Sequence, residues 1–291
     1  MNEIITRNPR ADEVPALRDI WKNTFGSIGE ESFFRHYYNP EFCIVAEYDN
    51  AAATVGYLVP YGEIVCGSET IRSAMIYSVA TVPQCRGMGL GTAVVNELIK
   101  KAYKSGFPAV VLCPSSDELF DYYSKQTGFR DWFYTDELTL KAVPAVTNNA
   151  SIIEINATEY NTQREELLKG ITHIKHDIYA LEYQVLLCNE LGGGLFRIDD
   201  SCAVVECQPD GVVWIKEFLT PGGLIDDFAE SLTAKDMLAA IVCLFPADEY
   251  LIRHPARIGK GRRFGMLTLS KELKNEPVFE DSVPWYGMAF D

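Results

Sequence analysis

Apolar residues in the first half of the chain alternate between helical spacing and short extended runs. We predict helices where they recur every three or four positions, and strands where β-branched and aromatic residues cluster between glycine, proline or asparagine. The predicted helices are Asp12–Phe25, Glu31–Tyr38, Gly91–Ser105 and Asp117–Gln126. The predicted strands are Phe42–Glu47, Ala53–Val59, Glu63–Cys66, Thr70–Val82, Pro108–Cys113 and Thr135–Ala142. The strands before Pro83 form an antiparallel meander in this interpretation, so the fold class is mixed α/β.

The second half repeats this order of elements without repeating its residues. Val143–Ser151 lacks hydrophobic periodicity and contains a proline and two asparagines, which makes it the predicted linker. Beyond it, the predicted helices are Glu159–Lys169, Asp177–Leu191 and Thr233–Leu244. The predicted strands are Ile152–Ile155, Gly194–Ile198, Cys202–Cys207, Val212–Leu219, Tyr250–Arg253 and Gly265–Leu269. We therefore expect two domains, residues 1–142 and 152–291, joined by the linker 143–151.

Composition narrows the class of protein. The chain has 291 residues, of which 47% are hydrophobic and 23% charged, values typical of a globular protein. Its formal net charge of −15 argues against nucleic-acid binding, which needs clustered Lys and Arg, and favours cationic small molecules as partners. The sequence contains no signal-like amino terminus and no apolar run long enough to cross a bilayer, so we expect a cytoplasmic protein without membrane contacts.

Side chains that often hold metals are not arranged as a metal site. The eight cysteines form no CxxC pair and are expected to be buried thiols. His173 and His176 are expected at the exposed start of a helix, because no third ligand lies nearby in the sequence. Lys260, Arg262 and Arg263 form a basic cluster that we interpret as a solvated loop, with contact to a nucleotide phosphate as the alternative. No metal is expected.

Residues 79–92 join an apolar strand to an amphipathic helix through a glycine-rich turn. Glycine permits backbone conformations closed to other residues and lets a ligand approach the chain. The glycines are Gly87, Gly89 and Gly91. Amides from Arg86 to Thr92 can converge on an anion at the positive end of the helix, although a turn that needs glycine only for its geometry is the alternative. The chain lacks the Gly-Lys-Ser/Thr ending of a P-loop, and Glu97 lies too early for a dinucleotide fingerprint.

Arg86-Gly87-Met88-Gly89-Leu90-Gly91, directly after Val82-Pro83, resembles the R/Q-x-x-G-x-G/A loop of the GCN5-related N-acetyltransferases. Gln84–Gly89 fits the bare pattern as well, but in that family the arginine or glutamine commonly falls three residues after a proline, as Arg86 does. The resemblance covers nearly all of residues 1–142. It implies a mixed, largely antiparallel sheet flanked by helices, with acetyl-coenzyme A as the cofactor. A degenerate second lobe of the same kind would complete the acceptor cleft.

The resemblance also assigns residues to the cofactor. Backbone groups of three strand residues would contact the pantetheine arm: Val79, Ala80 and Thr81. The loop and the helix start would hold the pyrophosphate: Arg86, Gly87, Met88, Gly89, Leu90, Gly91 and Thr92. The two-lobed length and the segment Leu119–Tyr123 most resemble the enhanced-intracellular-survival type of acetyltransferase, which acetylates aminoglycosides and other amines.

Catalytic residues are less well marked. The family places a tyrosine four positions before a Gly-Phe pair, but here Tyr123 is five before Gly128. Tyr123 is the candidate acid for the departing thiolate and Tyr122 the second, with an aromatic pair packed in the core as the alternative. The resemblance also suggests the terminal carboxylate of Asp291 as a base, with a frayed tail as the alternative.

Three functions follow from these features. The first is acetyl transfer from acetyl-coenzyme A to the primary amine of a small acceptor, with the second lobe forming one wall of the cleft. The second is another tandem acyltransferase of the superfamily, such as the mycothiol synthase type, in which the better-kept site usually lies in the second half. The third is an acyl-coenzyme A sensor without transfer activity. The sequence leaves a homo-oligomer open.

Overall fold

The computed structural model describes residues 4–141, 152–209, 211–221, 240–245, 257–273 and 283–290. The chain folds into two compact units. The described residues of the first unit are 4–64, 70–131 and 265–273, and the others belong to the second unit. No helix among the described residues is long and apolar enough to cross a membrane.

The first unit combines helices with a mostly antiparallel sheet. Its helices are α1 (Val14–Phe25), α2 (Glu30–His36), α3 (Leu90–Lys104) and α4 (Asp117–Thr127). Its strands are β1 (Thr6–Arg7), β2 (Cys43–Tyr48), β3 (Ala51–Cys66), β4 (Glu69–Thr81) and β5 (Ala109–Leu112), in the order β1-β2-β3-β4-β5. Strands β1–β2 and β2–β3 are antiparallel, whereas β4 and β5 are parallel.

Alternation along the strands sends successive side chains to opposite faces of this sheet. Leu58 and Ile76 belong to the same buried cluster as the apolar side of α3, which includes Val94 and Leu98. Their neighbours Tyr57 and Tyr77 face the other side, where both rings lie about 6 Å from that of Trp21 on α1. Helices therefore cover both faces.

The second unit also places helices against a mixed sheet. Its strands are β6 (Arg130–Lys141), β7 (Ile152–Glu154), β8 (His173–His176), β9 (Gly194–Ile198), β10 (Ser201–Cys207), β11 (Val213–Leu219), β12 (Ala240–Phe245) and β13 (Arg257–Leu269). Its helices are α5 (Ala157–Leu167) and α6 (Ile178–Leu191). The strand order β6-β12-β11-β10-β9-β7 includes one parallel pair, β11 with β12. This confirms the mixed α/β fold class. The described elements from β7 to β11 follow the order of those from β1 to β4, except that β8 lies between α5 and α6.

Part of the last strand in each half of the chain lies in the unit built mainly by the other half. Met266–Leu269 of β13 pairs antiparallel with β5 in the first unit. Asp136–Lys141 of β6 pairs antiparallel with β12 in the second unit. The two units are thus not consecutive stretches of sequence. The predicted linker Val143–Ser151 lies outside the described residues, and the domain limits stay a prediction.

Two predictions of secondary structure were wrong. Ala53–Val59 and Glu63–Cys66 belong to one continuous strand, β3, although Pro60 and Gly62 interrupt the pattern between them. The last part of the predicted helix Thr233–Leu244 is strand β12, because it pairs with β11 on one side and β6 on the other. Tertiary pairing overrides local helix spacing there. The earlier part of that helix and the predicted strand Tyr250–Arg253 lie outside the described residues.

Two predictions of exposed loops or helix starts were also wrong. His173 and His176 lie buried on strand β8, where His173 Nε2 is 3.2 Å from a carboxylate oxygen of Glu165. Lys260, Arg262 and Arg263 lie within strand β13, and the Arg262 guanidinium forms an ion pair with Glu137 at 3.1 Å. Pairing partners distant in the sequence place both segments in the second unit.

The strand exchange predicts how the first half behaves alone. Residues 1–142 expressed without the rest of the chain should aggregate or fail to unfold cooperatively, because β5, with Val110 and Val111 fully buried, loses β13, one of its two partner strands. Gel filtration and thermal circular dichroism measure this. As a control, a full-length chain cut by a protease site placed in 143–151 should keep its two fragments together. A monomeric fragment 1–142 that unfolds as cooperatively as the full chain would contradict the prediction.

Candidate functional site

Strands β4 and β5 stop pairing part of the way along β4. Their pairing covers only Ser73–Met75 on β4, while β4 itself continues to Thr81. Ser78 lies in this continuation with a φ of +48°, a left-handed conformation that residues other than glycine seldom adopt. The amide of Val82 still donates to the Ala53 oxygen of β3 at 2.9 Å. Beyond Met75, β4 therefore stays on β3 and leaves its other edge unpaired by β5.

The turn after β4 holds two glycines in the left-handed region. Gly87 has a φ of +79° and Gly89 a φ of +82°. A Cβ at Gly87 would meet nothing within 4 Å, so backbone conformation and not packing requires glycine there. At Gly89 the nearest atom to such a Cβ would be Ile4 Cδ1, at 3.7 Å. Space beside the turn is therefore open to a ligand.

Helix α3 begins immediately after this turn with free amide donors. The first intrahelical bond runs from the Ala93 amide to the Gly89 oxygen at 3.1 Å, and no side chain caps the helix. The amides of Leu90, Gly91 and Thr92 therefore precede any intrahelical acceptor. These donors and the helix dipole favour a negative charge at this end.

Arg86 adds a positive charge beside these amides. Its side chain is exposed, and its Nε donates to the Thr81 backbone oxygen at 3.2 Å. The Thr81 hydroxyl in turn lies 2.9 Å from that of Thr54 on β3. These contacts tie the turn to the end of β4. The open strand edge and the uncapped helix start are thus contiguous along residues 79–92, an arrangement that can accept a ligand with an amide-rich arm and a diphosphate.

Helix α4 places two adjacent tyrosines in different surroundings. The Tyr122 hydroxyl lies 2.7 Å from Thr92 Oγ1, at the start of α3, and a Cβ at Gly91 would lie 3.3 Å from it. Tyr123 packs against the buried cluster that contains Phe129, and burial raises the pKa of its phenol above the usual value. Tyr122 therefore contacts the candidate diphosphate loop, while Tyr123 stays protonated over a wide pH range.

Other candidate residues lie elsewhere or outside the described part. Asp291 lies outside the described residues, but Pro284–Phe290 are buried in the second unit, so a frayed tail is wrong for that stretch. Among the described residues no three His, Cys, Asp or Glu side chains form a group that could hold a metal ion.

Two features of the site carry no clear signal in the sequence. Ser78 is an ordinary residue in a run of strand formers, and nothing in its neighbours indicates a left-handed backbone. The contact between Tyr122 and Thr92 joins residues 30 apart and depends on how α4 packs on α3.

Comparisons with known proteins agree with this geometry. Residues 6–128 match the family model described as an acetyltransferase (GNAT) domain. No curated protein matches the chain at a significant level. Solved structures with the same fold include a GCN5-related N-acetyltransferase from Anabaena variabilis, with 12% identity and a TM-score of 0.68 over 92% of this chain and 73% of the other.

Two further structures share the fold. A probable N-acyltransferase from Enterococcus faecalis has 15% identity and a TM-score of 0.67, over 93% of this chain and 73% of its own. Eis1 from Mycobacterium abscessus has 11% identity and a TM-score of 0.61, over 92% of this chain and 74% of its own. The match to the family model coincides with the open strand edge and the uncapped helix. Residues 6–128 therefore match an acetyltransferase (GNAT) domain, and the chain shares its fold with GCN5-related N-acetyltransferases.

Proposed function

We propose that this protein transfers the acetyl group of acetyl-coenzyme A to the primary amine of a small acceptor, with cationic amines as the favoured class. The observation that carries this proposal is the continuous site at residues 79–92. An open strand edge leads directly into an uncapped helix start with two left-handed glycines. The match of residues 6–128 to an acetyltransferase domain supports the same assignment.

The residues of this site fit the two parts of the cofactor. Val79, Ala80 and Thr81 lie beyond the last β4–β5 pair, where backbone groups can bond the amides of a pantetheine arm. Arg86 and the amides up to Thr92 would hold the pyrophosphate. When bound, acetyl-coenzyme A supplies an activated thioester.

The acceptor amine must lose a proton before it can attack. An alkyl amine with a pKa of about 10.4 is almost fully protonated at neutral pH. The stretch Met75–Val82 of β4 contains no carboxylate that could take this proton. The carboxylate of Asp291 remains the hypothesis for the base, supported by the burial of residues 284–290, and full activity after removal of the last three residues would exclude it.

The departing thiolate needs stabilisation by a proton donor. Tyr123 is the proposed donor, because burial keeps its phenol protonated. Tyr122 is proposed to position α4 against the diphosphate loop through its contact with Thr92. The net charge of −15 supports a cationic acceptor, since an acidic protein concentrates cations near its surface.

A sensor that binds acyl-coenzyme A without transfer is the second candidate. The observation in its favour is that Tyr123 packs among core residues, one position away from the family pattern. Thiol release from acetyl-coenzyme A with a panel of primary amines, measured beside a coenzyme A binding titration, separates the two. We expect turnover with at least one polyamine or aminoglycoside. Binding with no turnover on any amine would favour the sensor.

Replacing Gly89 tests the location of the cofactor. Gly89 and Gly106 stand at opposite ends of α3 with φ values of +82° and +81°, so alanine at either carries a similar backbone penalty of about 1–2 kcal/mol. Only Gly89→Ala adds a side chain beside the anion site. We expect it to weaken coenzyme A binding at least tenfold in calorimetric titration, with Gly106→Ala close to wild type. Equal affinities in the two variants would place the cofactor elsewhere.

Phenylalanine substitutions separate the roles of the two tyrosines. Tyr123→Phe should lower kcat by about 10²–10⁴-fold and leave coenzyme A affinity unchanged, because it removes only the proton donor. Tyr122→Phe should mainly weaken coenzyme A binding, and Thr92→Val should weaken it by a similar factor, with little further loss in the double variant. Steady-state kinetics and binding titrations check both. Full turnover by Tyr123→Phe would exclude it as the donor.

A further inference from the structure

The last described segment of the chain is as buried as the protein core. Trp285, Tyr286, Met288, Ala289 and Phe290 are each at most 4% exposed, whereas Val283 is 40% exposed. All of them belong to the second unit. This burial needs a specific cause.

The backbone of this segment adds to strand β8. The Trp285 amide donates to the Thr172 oxygen at 2.8 Å, and the Trp285 oxygen accepts from the Ile174 amide at 3.0 Å. Trp285 forms a parallel bridge with His173. This is the hydrogen-bond pattern by which an extended peptide binds a strand edge.

A buried ion pair recognises the same segment through its side chains. Arg164 and Glu217 are both fully buried, and the Arg164 guanidinium donates to the two Glu217 carboxylate oxygens at 2.8 and 3.1 Å. Tyr160 donates to Glu217 Oε2 at 2.7 Å, and the Trp285 indole donates to Oε1 at 2.6 Å. A carboxylate has about four acceptor positions. The Trp285 indole thus supplies the fourth donor to this carboxylate.

Gly287 lets the segment pass over the ion pair. A Cβ there would lie 2.5 Å from Arg164 Nη2 and 3.0 Å from both Glu217 Oε1 and His176 Nε2. Its φ of +80° also favours glycine. Both the left-handed backbone of residue 287 and its short distance to the side chains of Arg164 and Glu217 therefore require glycine.

Neighbouring side chains of the segment enter separate apolar environments. Trp285 and Met288 join the cluster that contains Leu219 of β11. Tyr286 packs edge-on against Phe133, with 4.8 Å between ring centroids, and Phe290 packs in the same way against Tyr183 at 4.8 Å. Specificity pockets of this kind accompany strand addition in peptide recognition.

The parallel pairing of β11 with β12 in the second unit is as short as that of β4 with β5 in the first unit. β11 pairs in parallel with β12 only over Val213–Ile215, as β4 pairs with β5 only over Ser73–Met75. Glu217 lies just beyond this pairing, where the first unit has its open strand edge. In the second unit the carboxylate at that place binds a segment of the chain itself.

We propose that the second unit contains a peptide-binding site whose ligand is the chain's own C-terminal segment, residues 284–290. Glu217 and Arg164 recognise Trp285 and Gly287, and the strand edge of β8 binds the backbone. This proposal does not depend on acetyl transfer, because it concerns contacts within the second unit alone.

Cutting the full-length chain immediately before Val283 tests the site. A protease recognition sequence inserted there separates residues 283–291 as a peptide after the protein has folded. We expect the peptide to remain bound through gel filtration, detected by mass spectrometry of the protein peak. Loss of the peptide during the column, whether or not the remainder stays folded by circular dichroism, would overturn the proposal.

Substitutions in residues 283–290 test whether the hydrogen bond from Trp285 to Glu217 keeps the cut peptide bound. The cut Trp285→Phe protein keeps the aromatic ring but loses the indole donor to a charged acceptor, so its peptide should dissociate about tenfold to a hundredfold faster. Val283→Ala, at an exposed position, is the matched control and should dissociate as wild type does. Equal dissociation rates for the Trp285→Phe and wild-type peptides would overturn recognition by Glu217.

Discussion

The separation of β4 from β5 after Met75 is the constraint on which the site depends. A parallel pair that continued to Thr81 would satisfy its own backbone groups and offer nothing to a ligand. The left-handed Ser78 occurs where the strands diverge, and the chain accepts this unfavourable conformation in a well-packed region. The turn after β4 leads into α3, whose first amides, before Ala93, have no intrahelical acceptor. The open edge of β4 and the start of α3 thus adjoin each other, because β4 leads through one short turn into α3.

In the second unit, β11 and β12 also pair over only three residues, but a buried carboxylate follows on β11. There the strand beyond the parallel pair carries Glu217, and a buried carboxylate is costly unless its hydrogen-bond positions are filled. Arg164, Tyr160 and Trp285 fill them. Removing one partner of such a pair typically costs about 3–5 kcal/mol, because the other charge stays buried. Residues 284–290 are therefore held within the second unit by electrostatics as much as by apolar packing.

Local features of the fold were predictable from the sequence where they depend on local physics. Helix spacing located α3 and α4 within one residue at each end, because each buries one apolar side and ends near glycine. The turn between β4 and α3 was predictable as well, because Gly87 and Gly89 adopt left-handed conformations that favour glycine. Strand β12 was predicted as helix, since only its pairing with β6 and β11 determines its conformation.

The pairing of β6 with β12 and of β13 with β5 could not be predicted from the sequence either. The pattern of apolar residues within a strand does not indicate which strand it pairs with. The buried His173 was missed for a related reason. Its environment is created by Glu165 and by the bridge to Trp285, more than 100 residues away along the chain. Residues 79–92 were recognisable because turn, glycines and helix start are contiguous, whereas Ser78 and the Tyr122–Thr92 contact depend on the folded sheet.

A crystal structure of the protein with coenzyme A tests the central claim most directly. The account predicts the diphosphate at the amides of residues 86–92 and the pantetheine arm along Val79–Thr81, bonded to the edge that β5 leaves open. Coenzyme A bound elsewhere, or a β4–β5 pair that closes fully along residues 76–81, would contradict it.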